Sequence, residues 1–168
     1  MSVKGGIMVP HPPLIIPEVG RGREREIQTT IDAYHSAARK LASWQPDTVV
    51  VLSPHSVMYM DYFHISPGTE AEGDFGQFGA PQVKIKVSYD TEFVELLSRE
   101  AQDRKIPAGT LGERAPQLDH GTMIPLWFLN HYYTDYKVVR IGLSGQTFSS
   151  HYILGQCIQK TAGLCGRK

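Results

Sequence analysis

The chain has 168 residues, 41% of them hydrophobic and 20% charged, which is the composition of an ordinary globular protein with enough length for a real core. Its 17 Lys and Arg balance 17 Asp and Glu, so the charge offers no argument for nucleic acid or an anionic membrane as partner. No apolar run is long enough to cross a bilayer or to serve as a secretory signal, and a cytoplasmic location is the resulting expectation.

Residues 6–9 are a short apolar run, read as a first strand that stops at Pro10 and opens onto His11, Pro12 and Pro13. Pro17 and Gly20 then break the chain, and Arg21, Arg23 and Arg25 alternate with Gly22, Glu24 and Glu26 as a solvated approach to a helix. Between 24 and 44, Ile27, Ile31, Tyr34, Ala38, Leu41 and Ala42 recur every three or four residues, predicting an amphipathic helix that Pro46 ends. Residues 48–52 (Thr-Val-Val-Val-Leu) are β-branched without alternation, as expected of a strand covered on both faces. Strand, helix and strand make a βαβ unit, for which a right-handed crossover is expected.

Residues 59–66 read as a further strand of mixed polarity. Residues 67–81 hold Gly68, Gly73, Gly76 and Gly79 with Phe75 and Phe78 between them, predicting a long loop whose aromatics pack as a lid. Residues 83–87 alternate apolar and basic side chains, suggesting a strand with one wet face. Helices follow over 91–104, burying Phe93, Val94, Leu96, Leu97 and Ala101, and over 122–132. A buried strand over 137–143 and a helix over 149–162 complete the pattern. The fold class expected is α/β: one domain over 1–168, built as a three-layer α/β/α sandwich with a mostly parallel or mixed central sheet. Cys157 and Cys165 match neither a zinc ribbon nor a redox motif and read as reduced thiols.

Three histidines stand out. His11 and His55 each follow a proline where an apolar run ends, so their imidazoles should emerge at the carboxyl edge of the sheet, where ligands bind in open α/β folds. Two neutral imidazoles held on rigid strand ends make the start of a metal site. Taken singly, His11 reads first as a solvent-facing histidine in a stiff turn and His55 as one capping a loop; the recurrence of the pattern at two strand ends favours the metal reading. His120 lies between Asp119 and Gly121 at a helix start; it is either incidental beside a capping Asp119 or faces the pocket as a general acid/base. His64 reads as a core histidine, and His35, His131 and His151 as helix-surface or boundary residues. Gly142, Leu143, Ser144 and Gly145 form a tight turn without a phosphate-loop signature. Neither Ser53 nor Ser144 has the context of a serine nucleophile.

The segments Met8-Val9-Pro10-His11-Pro12-Pro13, Ser53-Pro54-His55 and Leu118-Asp119-His120-Gly121-Thr122-Met123-Ile124-Pro125-Leu126 resemble the class III extradiol ring-cleavage dioxygenases (LigB-type). Within that superfamily they are most similar to the AmmeMemoRadiSam and Memo-like branch. The resemblance covers essentially the whole chain and implies a non-haem Fe(II) centre, with His11 and His55 as metal ligands and His120 as the catalytic acid/base. It further implies a catechol-like substrate cleaved with O2, with Zn as the possible alternative metal. The resemblance further implies a Glu ligand in a segment after a further strand; no Glu here sits in a matching motif, and although Glu18 and Asp61 lie near the histidines in sequence, no motif supports either as a ligand. The expectation is therefore a domain truncated at its C-terminus, with self-association into a homo-oligomer through uncovered sheet edges. A non-catalytic, Memo-like binding module and a zinc-dependent hydrolase are the competing readings.

Overall fold

The structure is a computed structural model in which residues 3–168 are described. Its centre is the pair of strands that the unalternated apolar runs predict. β1 (Thr48–Ser53) lies parallel to β6 (Lys137–Gly142), in register from Thr48 opposite Lys137 to Ser53 opposite Gly142. The other edge of β6 meets the chain twice, in an antiparallel bridge of Ile65 to Ile141 and a parallel bridge of Tyr89 to Val138. Short β2 (Phe63–His64) pairs parallel with β5 (Ala108–Gly109), and β3 (Glu70–Phe75) pairs antiparallel with β4 (Ala80–Ser88).

Helices cover the β1–β6 pair from both sides, so alternate strand residues feed two different cores. On one side Val51 and Val138 pack with Tyr34 and Ala38 of α2 (Gln28–Ser43) and with Ile124, Leu126 and Phe128 of α4 (His120–Asn130). On the other, Val139 and Ile141 pack with Phe93, Val94 and Leu97 of α3 (Thr91–Asp103) and with Leu154 and Cys157 of α5 (Phe148–Leu164). Burying each such Val, Leu, Ile or Phe contributes about 1.5–3 kcal/mol. The result is the expected three-layer α/β arrangement with mixed pairing. Buried Ile15 and Ile16, just before the short helix α1 (Pro17–Gly20), anchor the N-terminal segment in the first of these two cores. Among the described residues no helix is long and apolar enough to cross a membrane.

Four elements differ from the sequence reading, and one of them, the strand expected over 59–66, is only the two residues of β2. Residues 6–9 are extended but join no ladder, and Met8 is 99% exposed. Four apolar residues without a hydrogen-bonded neighbour do not make a strand, since β-structure resides in pairing. The glycine-rich stretch 67–81 is not a loop but the hairpin β3–β4, turned by a 3-10 segment at Gly76–Phe78 and a register shift at Asp74 and Phe75. Its charged residues sit on the wet face while Phe75 is fully buried, and the glycines mask that alternation. One of them is required by packing: a Cβ on Gly73 would lie 2.5 Å from the Leu118 carbonyl oxygen. The long amphipathic helix begins at Gln28, after a 3-10 stretch at Arg23–Ile27.

Among the described strands nothing pairs with the outer edge of β1. An apolar groove of about 680 Å³ follows that edge, walled by residues such as Trp44, Leu129 and Ile158, and at one end it reaches His11, Pro54 and Gly121.

Candidate metal centre

Each of the three predicted histidines is held by a different device. His11 is fixed from both flanks: the buried Tyr34 hydroxyl donates to the Pro10 carbonyl at 2.7 Å, and the Ile15 amide donates to the Pro12 carbonyl at 3.0 Å. The two prolines after it fix the local φ and remove amides that a ladder would need. His55 stands two residues beyond the end of β1, and its amide donates to the Ser53 Oγ at 3.1 Å. His120 is the first residue of α4, whose N-cap is Asp119. The Asp119 carboxylate accepts from the Thr122 amide at 3.0 Å and from the Thr122 hydroxyl at 2.9 Å. The same carboxylate accepts the Ser53 hydroxyl, tying the start of α4 to the end of β1.

The three imidazoles converge. His11 Nε2 and His55 Nε2 are 3.0 Å apart, and one nitrogen from each of His11, His55 and His120 lies within 4.8 Å of the others. The rings of His55 and His120 have centroids 4.0 Å apart, and those of His11 and His120 5.7 Å. Phe78 packs edge-on against His120 at 5.3 Å, so one aromatic of the glycine-rich stretch does cover the site, from a hairpin rather than a loop. Burial, followed by the nearby His55, pushes the His120 pKa below the usual imidazole range, against the opposing pull of Asp119. A neutral ring is the form that binds a metal or accepts a proton. Gly121 permits the close approach: a Cβ there would lie 2.7 Å from Ser53 Oγ and 3.1 Å from the His55 ring.

Two further residues were not singled out as site residues by sequence. Arg140 interrupts the apolar run of β6 and is fully buried behind the site, and a charge inside an otherwise apolar strand was its available signal. Ser53 carries no signal beyond its place before Pro54 and His55. His64 is a core residue as expected, but neither of its ring nitrogens has a hydrogen-bond partner, and Glu113 stands 3.8 Å away. Burial holds its pKa below the ordinary imidazole value, with Glu113 opposing. His35 and His131 meet at the surface between α2 and α4, their ring centroids 6.0 Å apart and remote from the cluster. Cys157 and Cys165 are free thiols, and burial raises the pKa of both.

An α/β sandwich that presents convergent imidazoles beyond a strand end defines a candidate metal-dependent enzyme site. The chain belongs to the LigB family, the catalytic subunit of aromatic ring-opening dioxygenase, whose pattern it matches over residues 5–163. It is also similar to Protein CA_C1420 of Clostridium acetobutylicum, with 32% identity over 167 residues covering 95% of this chain and 36% of that protein. The chain thus spans about a third of the length of the curated relative it matches.

Proposed function

We propose that this chain carries the imidazole side of an extradiol-type dioxygenase site that opens a catechol-like ring with O2. The observation that supports it is the cluster of His11, His55 and His120, with ligand atoms within 4.8 Å, in a chain of the LigB family. The donor set fits a transition metal. Two imidazole nitrogens bound at about 2.1 Å and at right angles lie about 3 Å apart, close to the His11–His55 separation. His11 and His55 are the metal ligands on this reading, and among the described residues the cluster itself holds no carboxylate. Fe(II) held by His11 and His55 would supply Lewis-acid and redox chemistry for a catechol-like substrate and O2.

The protein's own residues do the rest. His120, neutral because it is partly buried and crowded by His55, is free to take a proton from a substrate hydroxyl and return it as the ring opens. Asp119 caps the helix that carries His120 and so fixes where its ring starts. Phe78 shields that ring from water on one side. The apolar groove beside His11 suits an aromatic body better than a charged one. The test is turnover. Protein loaded anaerobically with Fe(II), then given O2 and a panel of catechols, should form a yellow ring-opened product, and His120→Ala should abolish the colour while retaining iron. No product from any catechol at full iron loading would contradict the reading.

A zinc-dependent hydrolase is the second reading, favoured by one observation: among the described residues the cluster holds three histidines and no carboxylate. Three imidazoles plus a water form a known catalytic zinc set. Ester hydrolysis supported by Zn²⁺ and not by Fe(II) would select it.

A further inference from the structure

Arg140 is a cation that is completely buried in the middle of β6. Such a charge is tolerated inside a protein only when its donors and its charge are matched. Here all three guanidinium nitrogens donate: Nε to Ser66 Oγ at 2.7 Å, Nη1 to the Gln117 carbonyl at 2.6 Å and Nη2 to the Ala115 carbonyl at 2.8 Å. Its charge also faces two carboxylates, Glu113 at 3.7 Å and Asp119 at 3.8 Å. Four of these five partners lie in one segment, residues 113–119, which is mostly exposed, has no ladder or helix of its own, and leads directly into His120. A loop of that kind would otherwise be among the least rigid parts of the molecule.

The connection continues to the second histidine. Asp119 accepts the Ser53 hydroxyl, and Ser53 Oγ accepts the His55 amide. A chain of polar contacts therefore runs from β6 through the 113–119 loop to the end of β1, with one branch at His120 and the other at His55. We infer that Arg140 is a positioning residue of the imidazole cluster, acting through Asp119 and Ser53 to set the separation of His55 and His120. It bonds to neither ring, and the fixed fork of a guanidinium is what allows it to grip two loop carbonyls and Ser66 together. The consequence for metal binding rests on the proposed function; the geometric claim does not.

Two variants and two readouts test it. In metal-free wild-type protein the His55 and His120 ring protons should show a mutual nuclear Overhauser effect, because their centroids are 4.0 Å apart. Ser53→Ala and Arg140→Lys should each weaken that signal and lower Fe(II) affinity by about 10- to 100-fold, the usual cost of losing a group that orients a metal ligand. Ser53→Ala should do so with the far-UV circular dichroism of the wild type. Should Arg140→Lys fail to fold, Ser53→Ala decides alone. An unchanged ring contact and an affinity within twofold of wild type would overturn the inference, and so would a lowered melting temperature with affinity unchanged. If the wild type binds no iron, the metal reading fails while the ring contact still decides this one.

Discussion

His11 and His55 share a local pattern, Pro-His at the end of an apolar run, yet they are held in different ways. His55 leaves a true strand and hydrogen-bonds through its own amide. His11 leaves an unpaired extended segment and is anchored from outside, by Tyr34 and by the turn after Pro12. The pattern was legible in sequence because proline and histidine are chemically distinctive; the anchoring was not, because Tyr34 lies 24 residues from the Pro10 carbonyl it holds. The different roles of the three histidines predict a split between them. His120→Gln should lower turnover by at least about 100-fold, the usual contribution of a general acid/base, while iron affinity changes far less. Iron titration and product formation measured on the same sample check it, and equal losses of both would give His120 a ligand's role instead.

At the scale of elements, the start of α4 is the joint on which the site turns. Asp119 at the N-cap was legible from the Asp-His-Gly order, and the structure adds that the same carboxylate receives the Ser53 hydroxyl. Asp119→Ala should therefore cost more than an exposed cap. Loss of the cap together with a stranded buried hydroxyl corresponds to about 1–3 kcal/mol, read from urea unfolding. Gly121→Ala should fold but bind iron about tenfold more weakly, because the added methyl must displace Ser53 Oγ or the His55 ring. Wild-type affinity in that variant would mean the close approach is unimportant. The hairpin β3–β4 shows why some elements were hidden: Gly73 is there for close contact with Leu118 and Met123, and Glu70, Glu72 and Asp74 face away from the core. Turn-like composition here reflects packing of a hairpin, which composition alone does not distinguish from a loop.

Taken as a whole molecule, the α/β class was legible from the runs at 48–52 and 137–143, whose β-branched residues lacked alternation because each face meets a separate core. Strand partners were not legible, since short β2 and β5 contain only two residues each and depend on tertiary contact. Global stability should carry a pH signature. His64 is buried with its pKa below the ordinary value, so at mildly acidic pH the unfolded chain takes up a proton that the folded chain refuses. Stability is then complete above about pH 6.5, the unperturbed histidine value, and declines as pH falls below it. Denaturant midpoints of the metal-free protein at neutral and mildly acidic pH should differ in that sense, and His64→Gln should reduce the difference. His35 and His120, also lowered, act in the same direction.

The central claim is that three imidazoles brought together by β1, α4 and the segment before α1 form a metal centre. Anaerobic Fe(II) titration of the wild type beside His11→Ala and His55→Ala tests it most directly. Saturable binding of one iron per chain, strongly weakened in both variants, is the expected result; the same affinity in all three proteins would contradict it.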